Sequence, residues 1–205
     1  MKLVKLILWL VILLTLGYVV YFLYGYFTKT NVKQKDIGVS YSQSDASDAI
    51  ERSNVEVRDL SALSLGSNFN TEGTVSISDD FSDAEISAIQ NGANSANGPF
   101  RDVQIHFIGD GQVEGSGFIS HPQVNAPVYA RGSITNTGPK SFSVDLKGLE
   151  VGGTAIPSLL YGTIEDRFNE YANDILSEIE GLNVKNVEIK DGSVFFEGDV
   201  PQKIY

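Results

Sequence analysis

The sequence predicts an α+β fold, in which an N-terminal transmembrane helix precedes one domain with a curved, mostly antiparallel sheet packed by about three helices on one face. Three observations lead to this prediction. A long uncharged apolar segment stands near the start of the 205-residue chain. Short segments that alternate apolar and polar residues follow, joined by glycine-containing turns, which is typical of antiparallel strands. Among them are two stretches with the periodicity of amphipathic helices.

The apolar segment has the length of a membrane anchor. No charged residue occurs from Leu6 to Phe27, and about 20 apolar residues cross the hydrocarbon core of a bilayer. A cleaved signal peptide is the competing interpretation, but its apolar region usually has roughly 7–15 residues and a small-residue cleavage site. We therefore assign residues 1–29 to an uncleaved anchor, whose lipid-contacting positions are Leu6, Trp9, Leu13, Tyr18, Phe22 and Phe27.

A basic juxtamembrane linker, residues 30–36, connects the anchor to a domain spanning 37–205. Lys29, Lys33 and Lys35 lie around this linker and are predicted to contact lipid headgroups. They outnumber Lys2 and Lys5, so the positive-inside rule is close to balance or leans the other way. The short N-terminal tail nevertheless favours a single-pass protein of the cell membrane with its C-terminal domain outside the cytoplasm.

Composition excludes several classes of function. The chain has no cysteine, which rules out disulfides and thiolate chemistry. Residues 30–205 hold 12 basic and 26 acidic side chains, a net charge of −14 that would repel nucleic acid. With two histidines and no zinc-binding motif, a metal site is not expected. We find no catalytic motif and no cofactor motif, and we predict a protein that is not an enzyme and binds no cofactor or metal.

An acidic cluster, formed by Asp79, Asp80, Asp83 and Glu85, has two interpretations. Carboxylates could ligate calcium, but EF-hand spacing is absent. Acids in a first helical turn also complement the helix dipole, and Ser82 with Glu85 forms a capping box there. We favour the second interpretation.

Two hairpins define the predicted sheet. In the first, the loop Gly109-Asp110-Gly111 is predicted to form a three-residue bulged turn. In the second, the turn Asp191-Gly192 favours type I′ geometry and pairs Val187 with Phe196 and Ile189 with Val194. Each hairpin follows a helix, which indicates an internal helix–hairpin repeat at 82–119 and 157–200. Further strands are expected at Ile37–Tyr41, Val55–Leu65, Val75–Ile77, Val128–Ile134 and Phe142–Leu146.

The predicted helix from Pro157 to Glu180 carries an apolar stripe that includes Leu160, Ile164, Phe168, Tyr171, Ile175 and Ile179. Opposite it, the first hairpin would place Val103, Ile105, Phe107, Val113, Gly115, Gly117 and Ile119 on one apolar face. Such a helix and face form either a packed core or a lined groove. Glycines on a sheet face admit a close-packed helix, which is the commoner use, or a ligand.

At this point the chain resembles a known family. Residues 81–86 open a helix, 101–107 precede an Asp-Gly turn, 151–157 precede the long helix, and 187–194 read Val-x-Ile-x-Asp-Gly-x-Val. This order is similar to that of the LmeA/YpmS-type bacterial membrane-anchored lipid-binding proteins, which belong with the tubular lipid-binding domains. The resemblance covers most of the chain after about Asp36. It implies an extracytoplasmic domain that binds phospholipid or another acyl chain between a curved sheet and its helices.

We therefore expect a membrane-tethered domain that binds an acyl chain. The predicted lipid-binding residues are Leu160, Ile164, Phe168, Ile105, Val113, Gly115, Gly117 and Phe196. The main alternative is a structural or accessory subunit of a cell-envelope complex, with a fully packed core and another envelope protein as its partner. An enzyme of unknown class ranks last.

Overall fold

The computed structural model describes residues 32–60, 70–95, 98–121 and 124–204. Within these ranges no helix is long and apolar enough to cross a membrane. The anchor predicted for residues 1–29, with Lys29, lies outside the described residues and stays a prediction.

The described chain contains three α-helices and nine strands, two of them very short. In chain order they are α1 Gln43–Arg52, β1 Glu56–Val57, β2 Thr71–Ser82, α2 Asp83–Asn94, β3 Phe100–Gly109, β4 Gln112–His121, β5 Val124–Gly138, β6 Ser141–Val151, β7 Thr154–Ala155, α3 Tyr161–Glu178, β8 Asn183–Lys190 and β9 Ser193–Ile204. One 3₁₀ turn, Ser158–Leu160, leads into α3.

The strands form two sheets. Strands β3 to β7 make a five-stranded antiparallel meander. In the four-stranded sheet β9 is central, with β2 antiparallel on one side and β8 antiparallel on the other, and short β1 pairs parallel to its end. The predicted α+β class and the mostly antiparallel pairing are confirmed.

The structure differs from the prediction in the arrangement of these layers. The strands form two sheets instead of one, and α2 and α3 lie along the two edges of the five-stranded sheet instead of over one face. The sheets meet where Gly192 N–H donates to the Phe107 carbonyl (2.8 Å) and where Val184 N–H donates to that of Pro139 (2.8 Å). These contacts join residues far apart in sequence, so local patterns do not reveal them.

Both hairpins have the predicted strand register next to their turns, but the turns differ, and in the first hairpin the register shifts between Arg101 and Gln104. Phe107 pairs with Val113, and Val187 with Phe196. The first loop has only two residues, Asp110 and Gly111, both with positive φ, and the extra residue is a bulge in β3. Asp191 keeps a negative φ, so the second turn is not type I′. A bridge from Asp191 to Ile108 and the bond from Gly192 to Phe107 hold that turn in the sheet junction.

Other local predictions had mixed outcomes. The capping box at Ser82 is confirmed, since Ser82 N–H donates to Glu85 (2.8 Å) and Ser82 Oγ accepts from Glu85 N–H (3.3 Å). The strand predicted at Ile37–Tyr41 is wrong, because this segment is held on the five-stranded sheet by side-chain hydrogen bonds and not by a strand partner. Of the strand expected at Val55–Leu65, β1 is present, and residues 61–69 lie outside the described ranges.

The buried core is small. Among the described residues, five of the ten buried apolar side chains are alanines. Four of these alanines lie on α1 and α2. Arg52 at the end of α1 pairs with Asp79 on β2 and with Glu85 on α2 (2.7 Å). The buried apolar set is Val39, Ala46, Ala49, Phe81, Ala88, Ala93, Phe107, Ala126, Val184 and Ile189.

Candidate functional site

One face of the five-stranded sheet is apolar across four strands. Strand pairing places the residues opposite one another on the same side of the sheet, because side chains alternate along each strand. Gly115 pairs with Ile105 on β3 and with Ala130 on β5, and Ala130 pairs with Leu149 on β6. The apolar face, as we call it, comprises Val103, Ile105, Phe107, Val113, Gly115, Gly117, Ile119, Val128, Ala130, Gly132, Ile134, Phe142, Val144, Leu146, Leu149 and Val151.

This apolar face is only partly covered. Phe107, 5% exposed, is the one large side chain on it that is buried. The others, from Val103 on β3 to Val151 on β6, keep intermediate exposure. A sheet face that packs against a layer of helices would be sealed from water, so within the described chain this face lacks such a layer.

A polar ladder from α2 protects one edge of the sheet. Every fourth residue of the helix bonds to every second residue of β3, whose amides would otherwise point out of the sheet. We call Asp83, Ser87 and Asn91 the α2 ladder. It accepts hydrogen bonds from the amides of Phe107 (2.8 Å), Ile105 (2.8 Å) and Val103 (2.9 Å), respectively.

A second ladder from α3 protects the opposite edge in the same way. We call Glu165, Asn169 and Asn173 the α3 ladder. It accepts from the amides of Leu146 (2.5 Å), Val144 (2.9 Å) and Phe142 (2.9 Å), and Asn173 also donates to the Phe142 carbonyl (3.0 Å). Lys140 secures the end of the helix by donating to the Ile179 carbonyl (2.6 Å).

The two ladders can form because four residues of a helix and two residues of a strand advance by nearly the same distance. Four helical residues rise about 6.0 Å, and two strand residues advance about 6.7 Å. A helix that runs antiparallel to an edge strand can therefore place one polar side chain per turn against alternate amides. Exposed strand edges otherwise recruit other strands, and the ladders remove that hazard.

Helix geometry turns the apolar sides of both helices toward the apolar face. Ile164 and Phe168 each precede a ladder residue by one position, which is about 100° around the helix. Because α3 is right-handed and runs antiparallel to β6, the residue before each ladder residue points to one particular side of the sheet. This is the side on which the side chains of Leu146, Val144 and Phe142 lie. Ile86, which precedes Ser87, has the same placement on α2. We call the apolar face together with these flanking side chains the apolar trough.

The apolar face is the floor of the trough. Its glycines show whether a helix packs closely on the floor or whether the space above it is open. Among the described residues, a Cβ built at Gly115 would meet only the Gln104 carbonyl, at 3.8 Å, and at Gly117 the nearest atoms belong to β3. Gly132 differs, because its Cβ would lie 2.5 Å from the Asp145 carbonyl next to a bulge. Within the described part of the chain no helix packs on Gly115, because the ladders keep α2 and α3 at the sheet edges.

The structure brings most of the predicted lipid-binding residues together. Ile105, Val113, Gly115 and Gly117 lie on the floor, and Leu160, Ile164 and Phe168 lie on the α3 side. Phe196 does not join them, because it lies on β9 in the four-stranded sheet, between Val187 and Asp79. The floor also includes residues that the sequence prediction left out, although their alternation was visible: Val128, Ile134, Phe142, Val144 and Leu146.

The opposite, polar face of the sheet is covered by residues 32–41, which we call the N-terminal strap. Ile37 N–H donates to the Gln104 side chain (3.0 Å), and Gln104 donates back to the Val39 carbonyl (3.1 Å). Lys35 lies 3.4 Å from the centre of the Tyr129 ring. Burial and a hydrogen bond to Glu114 raise the pKa of Tyr129 to about 12, so its hydroxyl stays protonated. Of the predicted headgroup lysines, Lys33 and Lys35 are both exposed, and Lys35 contacts the Tyr129 ring.

The acidic cluster is used internally. Asp79 and Glu85 bind Arg52, Asp80 binds Lys190 (2.8 Å), and Asp83 lies 2.6 Å from His106 Nδ1. The described residues contain no group of three or more acidic, histidine or cysteine side chains able to hold a metal ion.

Two open cavities, of about 740 and 660 Å³, lie away from the trough. The first is lined by α1, α2 and residues 57–60, and the second lies beside β1. None of the predicted lipid-binding residues lines either cavity. The candidate site is therefore the partly exposed apolar trough and not one of these cavities.

Comparison with protein-family models, with curated proteins and with solved structures found no match to this chain.

Proposed function

We propose that the domain binds a phospholipid or another acyl chain along the apolar trough while its N-terminal segment tethers it to the cell membrane, outside the cytoplasm. The observation that supports this proposal is the partly exposed floor between two helices whose apolar sides turn toward it. The outer strands of the floor, β3 and β6, are about 14 Å apart at the usual strand spacing. A hydrocarbon chain lying along the strands would remove this surface from water.

Apolar burial would supply the affinity. Each buried methylene contributes about 0.8 kcal/mol before the costs of immobilising the ligand. Gly115 and Ala130 lower the middle of the floor, and the larger Ile105 and Leu149 stand beside them. The alternative, an accessory subunit with a fully packed core, is not favoured by a floor that stays partly exposed.

A pair of glycine variants tests the proposal. Gly115→Leu would fill the open floor, whereas Gly148→Leu adds the same side chain on the polar face, where a Cβ meets nothing within 4 Å. We expect wild-type and Gly148→Leu chains to carry acyl lipid through purification, as read by lipid extraction and mass spectrometry, and Gly115→Leu to lose most of it. Absence of lipid from the wild-type chain, together with no uptake of a fluorescent fatty acid, would refute the proposal. A stoichiometric protein partner in its place would favour the accessory-subunit function.

A further inference from the structure

The turn that leads into α3 carries an exposed leucine pair. Leu159 is 91% exposed and Leu160 is 48% exposed. Both lie in the 3₁₀ turn Ser158–Leu160, which we call the leucine tip. A leucine so fully in contact with water stabilises no fold, and two adjacent ones are typical of a surface that meets another apolar phase.

The leucine tip stands at one end of the trough. Because α3 runs antiparallel to β6, its first residue lies beside the last residues of that strand. Tyr161 Oη accepts a hydrogen bond from Leu149 N–H (3.2 Å), and Ile156 N–H donates to the Leu149 carbonyl (2.8 Å). Val151, two residues further, belongs to the floor and pairs with Val128. A chain that entered the trough past the tip would therefore meet the floor at once.

The chain that follows the predicted anchor reaches the domain at the same end. Val32 lies against Gly153, in the turn between β6 and β7, where a Cβ would come within 2.7 Å of Val32 Cγ1. Phe27 and Val32 are five residues apart, so at most about 18 Å of extended chain separates them. Gly153 is in turn only five residues from the tip. A bilayer that holds the anchor therefore lies within reach of this end of the domain.

Charge also distinguishes this end from the rest of the domain. Residues 151–164, which surround the tip, contain no charged side chain, although the domain is strongly acidic. The acids of α3 begin only at Glu165, and the exposed Lys33 adjoins Val32. An uncharged apolar tip near a lysine is compatible with an anionic lipid surface, which would repel most other parts of the domain.

We infer that the leucine tip inserts into the lipid surface and that the trough opens toward the bilayer at this end, so that an acyl chain passes the tip and enters over the floor residues at the end of β6. The inference deepens the proposed function and rests on it. The partner that it assigns to the tip is the bilayer itself.

The absence of cysteine allows a direct test with the full chain. Single variants Leu159→Cys and Thr137→Cys, each carrying an environment-sensitive fluorophore, are reconstituted into vesicles of phosphatidylcholine and phosphatidylglycerol in a 4:1 ratio. Thr137 is the matched control, because it is exposed and lies at the opposite end of the sheet. We expect the probe at 159 to be blue-shifted, quenched by spin-labelled lipid and shielded from iodide, and the probe at 137 to be quenched by iodide. Equal iodide quenching at both positions would overturn the inference.

A second variant tests the role of the leucine tip without changing the trough. Leu159→Ser removes a side chain that packs against almost nothing, so folding should be retained. We expect it to take up a fluorescent phospholipid from the vesicles about tenfold more slowly than the wild type, with unchanged affinity for a monomeric fluorescent fatty acid in detergent. An unchanged uptake rate would overturn the inference and leave the trough intact. A wild-type chain that binds no fatty acid would refute the trough, while the quenching experiment still decides the position of the tip.

Discussion

The two edges of the five-stranded sheet are protected by the same device in different surroundings. On the β3 edge, α2 packs between the sheet and α1, and Ser87, Ala88 and Ala93 are buried. On the β6 edge, α3 has no buried residue, and Phe168 and Tyr171 are each 50% exposed. The comparison shows that a polar ladder can hold a helix on a sheet edge although no side chain of that helix is fully buried. The apolar side of α3 is then left available for a ligand.

The largest expected difference between the two edges lies in hydrogen exchange. We predict that the β6 amides held by the α3 ladder, those of Phe142, Val144 and Leu146, exchange about a hundredfold faster than the β3 amides held by the α2 ladder. The reason is that local opening of α3 exposes no buried side chain, whereas opening of α2 disrupts the core. Protection factors from NMR or mass spectrometry measure this difference. Equal protection would show that the two ladders are equivalent and that burial does not matter here.

Substitution of single ladder residues compares the stability that each ladder contributes. Ser87, which is fully buried, both accepts from Ile105 N–H and donates to its carbonyl (3.4 Å). Ser87→Ala should lower the free energy of unfolding by about 2 kcal/mol, because it leaves buried backbone groups without partners. Asn169→Ala should cost less than about 1 kcal/mol, since water can reach Val144 N–H in its place. Urea unfolding measures both, and an equal or reversed order would contradict the comparison.

An acid titration tests the Arg52–Glu85 salt bridge, which we call the charged attachment of α2; among the described residues no salt bridge joins α3 to another element. Burial opposes the charge of Glu85, but hydrogen bonds from Arg52 and from Ser82 N–H outweigh it and lower its pKa below the usual 4.5. A lowered pKa means that the contribution of Glu85 to stability is complete above pH 4.5 and is lost as the pH falls through the folded-state pKa. Glu85→Gln should therefore cost about 1 kcal/mol at pH 7 and almost nothing at pH 2.

The matched control on α3 is Glu170→Gln. Glu170 pairs only with Arg167 on the same helix, and both side chains are largely exposed. Unfolding of this variant should follow the wild type at every pH, because exposed pairs of this kind contribute little. If both variants were equally destabilised at pH 7, the loss of the charged attachment of α2 would not be the cause of the lower stability of Glu85→Gln.

Local patterns in the sequence predicted most of the elements and the strand register next to both turns. The capping box at Ser82 predicted the start of α2, and alternation predicted that Phe107 pairs with Val113. The bulged turn between them was assigned the wrong length, because the extra residue, Ile108, is held by a bridge to Asp191. That partner lies 83 positions away, and no local pattern indicates it.

The position of the helices could not be predicted from apolar periodicity. The stripe from Leu160 to Ile179 suggested that α3 packs on the sheet face through its apolar side. In the structure a polar stripe, Glu165, Asn169 and Asn173, makes the contact instead. The four-residue spacing was visible, but its meaning depends on an edge strand with free amides at the matching distance. A polar stripe on a helix is otherwise read as a solvated face.

The smallest change in stability is predicted for a truncation on the apolar side of α3, and it tests whether that side is packed. Truncation of a phenylalanine in a packed core costs about 3–5 kcal/mol. Because Phe168 is half exposed and the ladder holds the helix, Phe168→Ala should change the free energy of unfolding by no more than about 0.5 kcal/mol. The same variant should weaken fatty-acid binding, since Phe168 flanks the proposed trough.

Phe107→Ala, on the buried side of the same floor, is the control and should show the full cost of a core truncation. A loss above about 2 kcal/mol at Phe168 would place this side chain in a sealed core, and the trough would then be closed on the side where we expect the ligand.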